Sequence, residues 1–169
     1  MIGDPVHPAP LCAPRITVSA VDYDHPSARA LRRAMILEMG HRYADRGAGF
    51  GAHAPALRVA SGTVAYTALA FTGDGLPIGH LALRRSGDDV ELKRMYVIPP
   101  YRGTGAAVAL LGAAEEAART LRARRIILQT GDRQPDAVRL YERHGYTPIP
   151  VFAPYEDVPF SRCYQKAVR

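Results

Sequence analysis

The run YVIPPYRGTGAA, residues 96–107, ends a strand and opens a helix within a few residues. Pro99 and Pro100 cannot donate to a sheet ladder and bias the chain away from helix, so the backbone must turn there. Arg102, Gly103, Thr104, Gly105, Ala106 and Ala107 follow. Glycines and small side chains let a ligand approach the backbone closely, and the first N–H groups of the helix have no intrahelical acceptor. Those amides, the positive end of the helix dipole and the Arg102 guanidinium are expected to converge on one spot. The stretch therefore reads as a cradle for a pyrophosphate. Two common nucleotide signatures are absent. There is no GxxxxGK[ST] lysine, and no GxGxxG with an acidic residue after the next strand.

Outward from this turn, the pattern alternates between strand and helix periods. RITVSA (15–20) alternates as a strand, and residues 27–44 carry Leu31, Met35, Met39 and Tyr43 at helical spacing. Residues 45–55 are glycine-rich and expected to lack regular structure. TVAYTALAF (63–71) and PIGHLALRR (77–85) flank Asp74-Gly75, a hairpin signal. A second turn at SGDD (86–89) leads into VELKRMYVI (90–98), which predicts an antiparallel meander. A helix is expected from about Gly105 to Leu121, with Val108, Leu111, Ala114, Ala118 and Leu121 on one face. RIILQT (125–130) reads as a buried strand, and Asp132, Pro135 and Gly145 as the cap, first turn and end of a short helix. YTPI (146–149) and SRCYQKAV (161–168) close the chain. The order describes an α/β domain around one mixed sheet.

With 169 residues and 47% hydrophobic composition, the chain can bury one good core, so residues 15–169 are read as a single domain. Residues 1–14 are read as a flexible proline-rich N-terminal tail. The net charge of +6 favours anionic partners. The arginines are scattered and show no aromatic interleaving, which argues against nucleic acid. Cys12 and Cys163 stand far apart, with no spacing that suggests zinc, as expected of a reduced cytoplasmic protein that binds no metal. No apolar run has membrane-spanning length.

The 96–107 stretch resembles the acetyl-CoA-binding motif of the GNAT (Gcn5-related N-acetyltransferase) superfamily, [RQ]xxGx[GA] after a strand ending in V-x-P. Val97, Pro99, Arg102, Gly105 and Ala107 fill those places. LQTGDRQPDAVRLYERHGYTPI (128–149) is similar to the family's second cofactor segment, matching at Ala137, Leu140, Tyr141, Glu142, Gly145 and Tyr146. Gln134 stands where many members carry asparagine. Motif similarity covers about residues 79–149 and suggests one of the small bacterial members.

The resemblance implies the GNAT fold, a mixed, mostly antiparallel sheet of about seven strands flanked by helices and splayed at the fourth and fifth. It implies acetyl-CoA as co-substrate, held by the backbone of Met95, Tyr96 and Val97, by the 102–107 cradle, and by Gln134, Ala137 and Tyr141. The implied reaction is direct attack by a primary amine of a small molecule or peptide. Glu91 is the expected general base and Tyr141 the acid for the departing thiolate. Strand parity puts Glu91, Lys93, Met95 and Val97 on one face, so Lys93 is the nearest neighbour of Glu91 and would make it a poorer base. His80 is an alternative base. Segments 40–55 and 151–160 are expected to select the acceptor, with Arg42 and Tyr43 as candidate contacts. The cations His41, Arg42 and Arg46 suggest an acceptor carrying a carboxylate or phosphate besides its amine. The alternative to an enzyme is a catalytically silent acyl-CoA-binding module. A homodimer through the late strands is compatible with their apolar content.

Overall fold

The computed structural model describes residues 15–47 and 52–168, so the expected N-terminal tail, Cys12 and residues 48–51 lie outside it. Seven strands form one sheet in the order β1-β2-β3-β4-β5-β7-β6. They are β1 (Thr17–Ala20), β2 (Val64–Phe71), β3 (Pro77–Ser86), β4 (Asp89–Val97), β5 (Arg125–Gly131), β6 (Thr147–Ile149) and β7 (Ser161–Ala167). All neighbours are antiparallel except β4 and β5, which are parallel. Asp74-Gly75 turns the β2–β3 hairpin as its sequence predicts, with Gly75 at φ 87°.

Helix α1 (Pro26–Arg42) lies on one face of the sheet, where Ala28, Leu31 and Met35 pack with Leu69 and Tyr96. Its start follows from Pro26 in the first turn and from His25, whose Nδ1 accepts the Ser27 N–H at 3.2 Å. The glycine-rich stretch holds more structure than expected: a 3₁₀ turn at Ala44–Arg46 and the one-turn helix α2 (Ala54–Leu57). Tyr43 and Phe160, with the loop residues Tyr155 and Val158, form a small apolar cluster beside them.

Helix α3 (Ala106–Thr120) covers the opposite face through Ala106, Leu110, Leu111, Ala114 and Ala118. Fully burying a leucine such as Leu110 contributes about 1.5–3 kcal/mol. Val108 was expected on this stripe but is 45% exposed, because the stripe runs through Leu110 and turns Val108 toward a cleft. Helix α4 (Pro135–Arg143) is capped by Gln134 rather than Asp132, whose carboxylate instead pairs with Arg46 at 2.6 Å. No helix among the described residues is long and apolar enough to cross a membrane.

Two departures from regular sheet position the site. Pairing between β4 and β5 runs only from Val90↔Ile126 to Leu92↔Leu128, so beyond Leu92 the two strands part. Within β4, His80 faces Tyr96 while Ala82 faces Lys93, which leaves a bulge containing Arg94 at φ 57°. The bulge breaks strand parity. Glu91 and Lys93 share the α1 face with Tyr96, whereas Met95 and Val97 pack on the α3 side, contrary to the simple alternation read from sequence.

Candidate active site

His80 pins the bulge. Its Nε2 lies 3.2 Å from an Arg32 nitrogen, which can only donate, so Nε2 accepts and the proton sits on Nδ1. Nδ1–H then donates to the Arg94 carbonyl at 2.8 Å. The imidazole is fully buried and held neutral, with its pKa pushed down to about 4 mainly by desolvation. Both nitrogens are occupied, so His80 is not a base facing the substrate. The linkage has a definite sign. An unfolded histidine, with pKa near 6.5, takes a proton before the folded one, so His80 stabilises fully above about pH 6.5 and loses about 3 kcal/mol as pH falls toward 4. Urea unfolding of wild type and His80→Gln across that range should show a flatter pH dependence in the variant.

The cradle forms where the sequence places it. A 3₁₀ turn at Pro99–Tyr101 leads through Gly103 (φ 78°) to Gly105 (φ 94°), a left-handed residue that caps α3. A Cβ built at Gly105 would meet nothing within 4 Å, so the backbone there borders open space. No side chain caps the helix, and the N–H groups of its first turn have no intrahelical acceptor. A cleft of about 420 Å³ runs over them, lined also by Met95, Tyr96, Val97, Ala107, Gln134, Ala137, Leu140 and Tyr141. Arg102 borders this cleft, but its guanidinium does not join the amides. It donates to the Val97 carbonyl at 2.9 Å and to Glu38 at 2.6 Å.

Glu38 also pairs with Arg42 at 2.8 Å, and Arg42 with Asp136 at 3.0 Å, so a chain of ion pairs ties α1 to both walls of the cleft. Arg42 therefore belongs to the wall of this cleft, and Arg46 is spent on Asp132. Neither presents the free cation toward an acceptor that the sequence suggests.

A second cavity of about 300 Å³ lies between the C-terminal half of α1, α2 and the diverging ends of β4 and β5. Met35, Met39, Met95, Gln134 and Tyr141 line both cavities, so the two meet where the strands part. Tyr43 lines the second chamber, and its hydroxyl accepts the Arg133 N–H at 3.2 Å. It crosses so close above Gly131 that no side chain fits there. Tyr141 is 4% exposed and packs against the rings of Tyr146 and Tyr164. Burial, with Asp136 nearby, pushes its pKa well above that of an ordinary phenol, so it stays protonated. Its hydroxyl makes no hydrogen bond among the described residues.

Glu91 is not presented to either cavity. It is 1% exposed and pairs with its cross-strand partner Arg84 at 2.6 Å. It also accepts the Tyr155 hydroxyl at 2.5 Å and sits 3.4 Å from Lys93. A carboxylate so occupied is a poor base toward substrate, and its placement assigns it to holding the network together. Removing it would leave buried Lys93 and half-buried Arg84 without a counter-charge. We expect Glu91→Ala to cost about 3–5 kcal/mol in urea unfolding. Sequence reasoning missed Tyr155, Phe160, Leu57 and Gly131. Tyr155 and Phe160 fall within the 151–160 segment that was singled out, but nothing in their spacing marks them as inward-facing.

The sequence model of the acetyltransferase (GNAT) family matches residues 40–146. An uncharacterized N-acetyltransferase of Mycobacterium bovis is 38% identical over 74 residues, 43% of this chain and 47% of the relative. The match thus spans about half the length of that curated relative. A Klebsiella pneumoniae structure assigned as an acyl-CoA N-acyltransferase superposes with a TM-score of 0.74 at 27% identity, covering 91% of this chain and 98% of the other. A streptothricin acetyltransferase of Bacillus anthracis, in complex with acetyl coenzyme A, shares the fold at 19% identity and a TM-score of 0.54, over 60% of this chain and 61% of its own. A seven-stranded sheet splayed between β4 and β5, a glycine-capped helix opening on the splay, and a family match across most of the sheet lead to one conclusion: the chain belongs to the acetyltransferase (GNAT) family.

Proposed function

We propose that the protein is an N-acetyltransferase that transfers an acetyl group from acetyl-CoA to a primary amine. The observation that carries this reading is the meeting of two cavities at Met95, Gln134 and Tyr141. One cavity is walled by unpartnered helix amides suited to a pyrophosphate, and the other is a pocket of small-molecule size. Bound acetyl-CoA supplies an activated acyl carbon. The chain's own residues orient the reactants and protonate the leaving sulfur, while the proton shed by the attacking amine passes to solvent water. Along β4 from Lys93 to Val97 no strand pairs on the β5 side, which leaves backbone groups for the pantetheine arm and for a developing oxyanion. Tyr141, protonated and free to donate, supplies the proton to the departing sulfur. The acceptor enters from the chamber beside Tyr43.

A free-thiol release assay with acetyl-CoA across a panel of primary amines tests the proposal. Amine-dependent thiol release is the expected result. A second reading, a catalytically silent acyl-CoA-binding module, is favoured by the withdrawal of Glu91 from the cavities. Binding of acetyl-CoA with no amine-dependent release would select it.

A further inference from the structure

The chamber has an unbalanced charge. Lys93 and Arg94 line it, while no acidic side chain lines it among the described residues. Lys93 is 6% exposed. Its ammonium donates to the Tyr155 hydroxyl at 2.5 Å and stands 3.4 Å from Glu91. Glu91 in turn is held at 2.6 Å by Arg84. Buried Lys93 and Glu91, with Arg84 half-buried at 17% exposure, thus carry two cations against one carboxylate. Burying an uncompensated cation is costly, and a cation kept at the wall of a cavity calls for an anion within it. The rest of the wall is uncharged: Met35, Ile36, Met39, Leu57 and Phe160 give it an apolar side, and Tyr43, Gln129, Thr130, Gln134 and Tyr141 add neutral polar groups. Lys93 is also two residues before Met95, which lines both cavities, so the charge lies close to the junction with the cofactor cleft.

We propose that the acceptor is an amino acid or a similar amine, bearing a carboxylate that docks on Lys93 and an apolar body that fills the chamber. The amine would then face the junction, a few bonds from the acid. A polycationic amine meets two like charges and no carboxylate. This assignment names the acceptor class for the acetyltransfer proposed above, but the anion site itself does not depend on turnover.

Calorimetric titration of the CoA-loaded protein with 3-phenylpropanoate and with its uncharged amide tests the anion site directly. The acid should bind at least tenfold more tightly than the amide at pH 7. Lys93→Met should abolish that preference without weakening the amide, and Lys93→Arg should retain it. The wild type alone gives a second check. Burial pushes the Lys93 pKa down to about 8, so the acid preference should fade as pH rises from 7 to 9.5. Of the other groups around it, Arg84, Arg94 and Glu91 are charged, and burial raises the Tyr155 and Cys163 pKa values. Equal binding of acid and amide by wild type, or an acid preference that survives in Lys93→Met, overturns the proposal. In the thiol-release assay phenylalanine should exceed phenethylamine at least tenfold in kcat/KM, and spermidine should be poorest. Acid-selective binding without turnover would sink the acetyltransfer reading alone, whereas turnover favouring phenethylamine or spermidine would sink the acceptor class alone.

Discussion

Tyr141→Phe is expected to lower kcat by about 10²–10⁴-fold on the amine that wild type acetylates fastest, with little change in acetyl-CoA affinity. The substitution removes one oxygen. The ring keeps its contacts with Tyr146 and Tyr164, so packing and thermal stability should hold. What is lost is a donor at the junction of the two cavities, where thiolate charge develops as the carbon–sulfur bond breaks. Because burial keeps the phenol protonated across the working range, its donor role should add no ionisation of its own to the pH–rate profile below pH 10. A variant with unchanged kcat would mean that water protonates the leaving group and that Tyr141 serves packing.

Gly105→Tyr should abolish acetyl-CoA binding in a protein that still folds. At φ 94° the residue sits in a region that costs a side chain roughly 1–3 kcal/mol, which the core beneath α3 can absorb. The Cβ has open space, so the ring is not forced into the core. It projects instead over the helix amides. In thermal unfolding, wild type should gain stability with saturating acetyl-CoA, by about 2.7 kcal/mol at a hundredfold excess over Kd, and the variant should gain none. A ligand-induced shift preserved in Gly105→Tyr would place the pyrophosphate elsewhere.

Much of this site was legible because it is local. Two prolines, an arginine and two glycines define the end of β4 and the start of α3 without reference to any distant residue, and the structure keeps that turn. The meander and its Asp74-Gly75 turn are local in the same sense. What sequence could not show is set by partners far along the chain. Arg102 reads as a phosphate ligand until Glu38, 64 residues earlier, takes its guanidinium. Arg42 reads as an acceptor contact until Asp136 claims it. Glu91 reads as a base until Tyr155 closes over it from the late loop. The face assignments along β4 failed for a subtler reason. One residue, Arg94, takes a left-handed conformation usual for glycine, and this single bulge shifts the parity of every later residue in the strand. Its stabilising contact, the His80 imidazole on its carbonyl, lies on the neighbouring strand. The parting of β4 from β5 beyond Leu92 leaves Lys93, which sequence reasoning treated only as a neighbour of Glu91, at the wall of the chamber.

The most direct measurement is a calorimetric titration of the wild-type protein with acetyl-CoA. One-to-one binding with Kd on the order of micromolar is the predicted result, and it would establish the glycine-capped helix start as a cofactor cradle. Absence of binding heat over a range of temperatures, together with no acetyl-CoA-induced thermal shift, would contradict it and reduce the RGTG turn to a structural element.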